Sequence, residues 1–222
     1  MAAEGFEQLV QIPVDSVTLE GMLAIPAGAE GVVLFAHGSG SSRHSPRNNF
    51  VAKVLRENGI GTLLIDLLTE REDTVYQTRF DINLLTDRLT AATKWLMAQP
   101  QTKGLTIGYF GASTGAAAAL QAAAALGPVI GAVVSRGGRP DMAGPALDRV
   151  KTPTLLIVGG NDDVVIELNQ QAYALLEGKK ELIIIPGATH LFEEPGALEE
   201  VARLAAEWFR RYLPSERTGS TR

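Results

Sequence analysis

Two periodicities divide this chain. Residues 8–13 and 17–26 partly alternate between apolar and polar positions, with residues 14–16 as a short turn between them, and predict an antiparallel pair of strands. From residue 31 onward the rhythm changes to short runs that are apolar throughout: 31–36, 60–65, 105–110, 130–135, 154–158 and 182–185. Continuous hydrophobicity of this kind predicts strands buried on both faces, as in a parallel sheet. Segments of helical period lie between them, at 48–57, 81–98, 114–126, 167–176 and 198–212, with a further short turn of helix expected at 145–150. In the last of these Val201, Leu204, Ala205, Trp208 and Tyr212 share one face, while Glu199, Arg203 and Arg210 fall elsewhere. Gly59, Pro100, Gly127, Gly178 and Pro214 close the segments in the expected way. Strand and helix therefore alternate. The pattern predicts a doubly wound α/β fold of about eight strands, mostly parallel with an N-terminal antiparallel pair, and helices on both faces.

Composition narrows the reading without changing it. With 222 residues, 45% of them hydrophobic and 20% charged, the chain can bury one large core, and residues 1–213 are expected to form a single domain. Residues 214–222, PSERTGSTR, read as a polar, frayed tail. A net charge of −5 gives no basic face for nucleic acid or an anionic membrane surface. There is no cysteine, so disulfides, thiolate metal sites and a cysteine nucleophile are all excluded, and there are only three histidines. No basic start precedes an apolar core, and no run of about 18 apolar residues occurs, so a soluble, cytoplasmic protein is expected.

In an open α/β sheet the chemistry belongs at the carboxyl ends of the strands. Gly111-Ala112-Ser113-Thr114-Gly115 stands there, between an apolar run and an alanine-rich helical run. That context makes it a candidate nucleophile elbow, in which a serine sits on a strained strand-to-helix turn and glycines stand where helix and strand approach closely. A bare G-x-S-x-G match is weak evidence, and the plain alternative is a helix N-cap serine beside packing glycines. Its companions strengthen it. His37-Gly38-Ser39-Gly40 follows the third strand, Asn161, Asp162 and Asp163 follow the seventh, and His190 follows the last. Serine, then aspartate, then histidine is the chain order of the α/β-hydrolases.

On these residues the chain resembles the α/β-hydrolase superfamily, and within it the small, capless branch related to dienelactone hydrolase and short-chain carboxylesterases. The resemblance spans roughly residues 9–213 and rests on His37-Gly38, the Gly111–Gly115 motif, Asp162 with Val165, and His190. It extends to stand-alone or fused hydrolase domains that accompany phosphoribosyltransferases. Dienelactone hydrolases proper use a cysteine nucleophile where this chain has Ser113, which favours a general serine esterase. The resemblance implies an α/β-hydrolase fold without a cap domain. About fifty residues separate Ser113 from Asp162, room for the elbow helix, two strands and one short helix, so an open, shallow pocket is expected.

A serine hydroxyl needs a base within reach, and histidine has a suitable proton affinity. His37 precedes the oxyanion-loop glycine and is expected to shape that loop, and His44 lies in a polar segment; His190 is the candidate base. For the acid, the spacing Gly159-x-x-Asp162-x-x-Val165 carried over from the superfamily favours Asp162, with Asp163 as the rival and Asp66 behind both; helix capping is the alternative role for the adjacent pair. By the same resemblance the oxyanion donors are the backbone N–H groups of Ser39 and Thr114. Arg43, Arg47, Arg136 and Arg139 all follow strand ends, and one or two of them, with Arg43 and Arg136 foremost, are expected to bind a substrate carboxylate or phosphate unless they pair with nearby acids. Phe192 and Leu191 are candidates for lining the acyl or alcohol pocket, or for packing.

These readings converge on a serine hydrolase of small carboxylic esters that acts through an acyl-enzyme, with no cofactor or metal and an ester or lactone as its small-molecule partner. Lactone hydrolysis, acyl transfer and a non-catalytic binding module of the same fold are the alternatives. Either a monomer or a homodimer is compatible with the chain.

Overall fold

The computed structural model describes residues 5–213; the tail expected at 214–222 lies outside the described residues. Strands β1 (Phe6–Val14) and β2 (Val17–Ile25) form the predicted hairpin, closed by the two-residue turn Asp15-Ser16 with Asp15 at φ 49°. Positive φ in a two-residue turn matches the twist of the flanking strands, and aspartate tolerates it better than most residues. Six further strands follow: β3 (Gly31–Ala36), β4 (Gly61–Ile65), β5 (Thr106–Ala112), β6 (Ile130–Arg136), β7 (Thr154–Gly159) and β8 (Lys180–Ile185). They assemble into one eight-stranded sheet in the order β1-β2-β4-β3-β5-β6-β7-β8. All neighbours from β4 to β8 are parallel, and β2 joins β4 antiparallel. The chain is an α/β-hydrolase fold, and among the described residues no cap is inserted into it.

Among the described residues the α-helices are α1 (Pro46–Glu57), α2 (Glu70–Asp73), α3 (Ile82–Ala98), α4 (Thr114–Leu126), α5 (Asp163–Leu175) and α6 (Ala197–Tyr212). Pleating sends alternate strand residues to opposite faces and so builds two cores. Val32, Leu34, Ile107 and Tyr109 face the core beneath α3, α4 and α5, whereas Val33, Phe35, Phe110 and Val134 face the one beneath α1 and α6. The rings of Phe35 and Phe110 lie 4.9 Å apart across β3 and β5. In α6, Val201, Leu204, Ala205 and Trp208 are buried, as the periodicity predicts.

Three details depart from the sequence reading. Strand β8 begins earlier, at Lys180, and lies at the edge, with Ile184 40% exposed; it is not buried on both faces. The short turn expected at 145–150 belongs to a longer 3₁₀ segment, Pro140–Arg149, kinked at Gly144. Helix α2 and the 3₁₀ turn Tyr76–Phe80 were not anticipated. Thr69 and Glu72 form a capping box at the start of α2, a signature present in the sequence but not followed by the apolar run that normally marks a helix.

Helix α4 occupies the centre of the molecule, and its alanines make that possible. Ala116, Ala117, Ala118 and Ala119 are fully buried, which lets the helix axis approach the sheet closely. At its N-terminus a β-carbon on Gly115 would stand 2.1 Å from the Ala36 carbonyl oxygen, and one on Gly111 would stand 2.4 Å from the Ala116 Cα. Both obstacles are backbone, so neither can swing aside. Gly115→Ala should therefore destabilise the protein by about 3 kcal/mol or more, read as a lowered urea midpoint; a change within about 0.5 kcal/mol would show that the helix can withdraw without loss.

Candidate active site

The loops at the carboxyl ends of β3, β5, β6, β7 and β8 converge on Ser113. This residue follows β5 directly and adopts φ 50°, ψ −120°, a region that L-residues with a side chain rarely occupy. Its backbone is held on both sides: the Ser113 N–H donates to the carbonyl of Arg136, the last residue of β6, at 3.3 Å, and the Ser113 carbonyl accepts from Arg139 N, in the loop after β6, at 3.0 Å and from Ala116 N at 3.1 Å. The side chain thus stands at the top of the sheet, only partly buried. Thr114, the first residue of α4, has no partner within the helix for its N–H. Gly38 packs against Ser113 from the other side, where an added β-carbon would meet the serine Cβ at 3.1 Å. Ser39, Ser113 and His190 line one cavity of about 210 Å³.

Asp162 and His190 are brought together from the loops after the adjacent strands β7 and β8. The Asp162 Oδ2 lies 2.7 Å from His190 Nδ1, the carboxylate mostly buried and the imidazole side chain 40% exposed. Asp162 stands at the N-cap position of α5, yet its side chain makes no capping bond and is committed to the histidine. Asp163 is the exposed first residue of that helix. Asp66 is engaged elsewhere, accepting from the Arg43 N–H at 2.7 Å and pairing with the Arg43 guanidinium.

The remaining predicted residues divide sharply. Arg43 is also paired with Glu20 at 2.7 Å and lines a neighbouring cavity of about 720 Å³, away from Ser113. Arg139 makes a two-pronged contact with Asp141, at 2.9 and 2.8 Å. Arg136, by contrast, is buried in the wall of the Ser113 cavity, with Arg47 lining the same space. Leu191, not Phe192, reaches that cavity; Phe192 is buried in the core under α6, its ring 5.9 Å from the Arg136 guanidinium.

His37 is a structural part of the loop. Its Nε2 accepts from Leu67 N at 3.0 Å, which leaves the proton on Nδ1, 2.9 Å from the Gly38 carbonyl. The imidazole thereby ties the loop after β3 to the segment after β4. Burial pushes its pKa below the ordinary 6.5, outweighing the Gly38 carbonyl and the Asp66 and Asp73 charges, which favour the cation.

Comparison with known proteins now decides the family. The family model described as the dienelactone hydrolase family matches residues 19–213. The chain belongs to this family. Among solved structures, a dienelactone hydrolase from Anabaena variabilis is 57% identical with a TM-score of 0.92, covering 95% of this chain and 100% of that one. Est1E from Butyrivibrio proteoclasticus, 17% identical over 91% of this chain and 98% of its own, shares the fold at a TM-score of 0.78. A Mycobacterium tuberculosis protein named "Putative phosphoribosyl transferase" is 56% identical over 207 residues, which is 93% of this chain and 47% of that relative. The chain thus spans about half the length of the curated relatives it matches. The relatives support a hydrolase. No helix among the described residues is long and apolar enough to cross a membrane.

The neutral His37 predicts a pH dependence of stability. The unfolded chain takes up the proton more readily than the folded one, so stability is full above the unfolded value near 6.5 and declines as pH falls below it, by at most about 1.4 kcal/mol per pH unit. Urea unfolding between about pH 8 and pH 5.5 should show a shallower decline for His37→Gln than for wild type. Parallel curves would mean that His37 takes no part in the acid sensitivity.

Proposed function

We propose that the chain is a carboxylic ester hydrolase in which Ser113 is the nucleophile, His190 the base and Asp162 the residue that orients it. The observation that carries this reading is the 2.7 Å contact between Asp162 and His190 Nδ1, in the loop cluster that also holds a serine in an elbow conformation. With Nδ1–H donated to the carboxylate, Nε2 is left to accept the Ser113 proton as Oγ attacks the ester carbonyl. The N–H groups of Ser39 and Thr114 hold the resulting oxyanion; they are fixed dipoles that need no reorganisation as charge develops, and the N-terminus of α4 adds positive potential. His190 then protonates the departing alcohol, and the same histidine activates water to release the acid from Ser113.

The family's name and that of the 57%-identical structure, dienelactone hydrolase, support an ester or lactone as substrate. The open position of His190 and the small cavity support a compact one, taken up without lid closure. The transferase name belongs to relatives of about twice this chain's length and is not carried over.

Two measurements test the assignment. Ser113→Ala should lower p-nitrophenyl acetate turnover to background and abolish labelling by a fluorophosphonate probe; an unlabelled, inactive wild type would instead favour a binding module. Asp162→Asn should lower kcat at least about a thousandfold, while Asp163→Asn stays within about twofold of wild type. Equal losses from the two aspartates would remove Asp162 from its proposed role.

A further inference from the structure

Four arginines stand at the rim of the sheet, and only two are neutralised by close ion pairs. Arg43 has Asp66 and Glu20, and Arg139 has Asp141. Arg136 is 7% exposed, and among the described residues its guanidinium hydrogen-bonds the neutral Asn48 side-chain oxygen at 3.4 Å and no carboxylate. Arg47 reaches Glu193 at 3.4 Å, where that carboxylate is largely in solvent. The Nε atoms of both Arg47 and Arg136 are buried without a hydrogen-bond partner. Both side chains line the cavity that holds Ser113 and His190, and no aspartate or glutamate lines it. Burial, with the nearby Arg47 charge adding to it, lowers the Arg136 pKa to about 10, so the guanidinium is still protonated at neutral pH.

Two buried or half-buried cations in one acid-free cavity are a destabilising arrangement unless an anion joins them. We propose that Arg47 and Arg136 bind a phosphate or phosphonate dianion carried by the substrate, beside Ser113; that this dianion belongs to the ester being cleaved rests on the acyl-transfer reading above. Charge favours a dianion over a carboxylate, since two guanidiniums match two negative charges. The donors match as well. The two guanidiniums are joined by the hydroxyls of Ser41 and Ser45, which line the same cavity; Ser45 Oγ accepts from Asn48 N at 3.3 Å and so keeps its own proton to donate. Three tetrahedrally disposed phosphate oxygens meet such a set from more directions than the two coplanar oxygens of a carboxylate. Ser45 also caps α1, whose N-terminus adds positive potential on the same side. The dianion is a handle here, and the bond that breaks is the ester's.

The test separates binding from catalysis. Inorganic phosphate and acetate are titrated by calorimetry into the Ser113→Ala protein at about pH 8 and constant ionic strength. Phosphate should bind at least tenfold more tightly than acetate, and Arg47→Gln or Arg136→Gln on that background should weaken it tenfold or more. Arg47 is one-third exposed, so its variant serves even if the buried Arg136→Gln fails to fold. In the otherwise wild-type protein phosphate should compete with p-nitrophenyl acetate, and Arg47→Gln should raise its inhibition constant by the same factor. Equal affinities for phosphate and acetate, or phosphate binding indifferent to Arg47→Gln, would overturn the proposal. Failure of the acyl-transfer reading would look different: ester turnover would be absent while phosphate binding persisted.

Discussion

The close approach of helix α4 to strands β3 and β5 is the constraint on which the rest of the site depends. Gly115 lies so near the Ala36 carbonyl, and Gly111 so near Ala116, that no side chain fits at either position. This contact forces the chain to turn within a single residue, and that residue is Ser113. A backbone at φ 50° and ψ −120° costs on the order of 1–3 kcal/mol for a residue with a side chain. The surroundings offset it: β6 and the loop that follows it supply hydrogen bonds to the N–H and the carbonyl of Ser113, and the alanines of α4 are fully buried against the sheet. The strain at the serine is thus held by the most buried part of the molecule.

Around that fixed point the parallel sheet acts as an organiser. Because β3 through β8 all run the same way, the loops after them open at one end, and residues far apart in sequence meet there. His37 and Gly38 come from β3, Ser113 from β5, Arg136 from β6, Asp162 from β7 and His190 from β8. The imidazole of His37, fixed by Leu67 and Gly38, anchors the loop whose Gly38 and Ser39 line the cavity, and Arg136 at the end of β6 lines another side of it.

Most of the fold was legible because its signals are local. Continuous apolar runs marked the parallel strands, helical period marked α1, α3, α4, α5 and α6, and glycine or proline marked their ends. The exposure of β8 was not legible, since an apolar run looks the same at an edge as in a centre; Ile184 meets solvent for want of a neighbouring strand. Helix α2 was missed because Thr69 and Glu72 cap only four residues, none of them buried. At the site, chain order pointed to Ser113, Asp162 and His190, but neighbouring carboxylates cannot be told apart by sequence. Only the turn into α5 separates them, aiming Asp162 at the histidine and leaving Asp163 in solvent. The arginines were harder still. Four stood at strand ends, and which were already neutralised depended on partners such as Glu20, Asp66 and Asp141, whose positions no local pattern reveals.

The edge position of β8 has a consequence for how the molecule is made and lost. His190 follows the outermost strand, which is held by a single neighbour, β7. Synthesis reaches it after the central strands, so a growing chain can complete the serine's turn while the imidazole is still missing. On heating, an edge strand frays at lower free energy than the centre. The Asp162–His190 pair thus rests on the margin of the sheet, whereas Ser113 rests on its core.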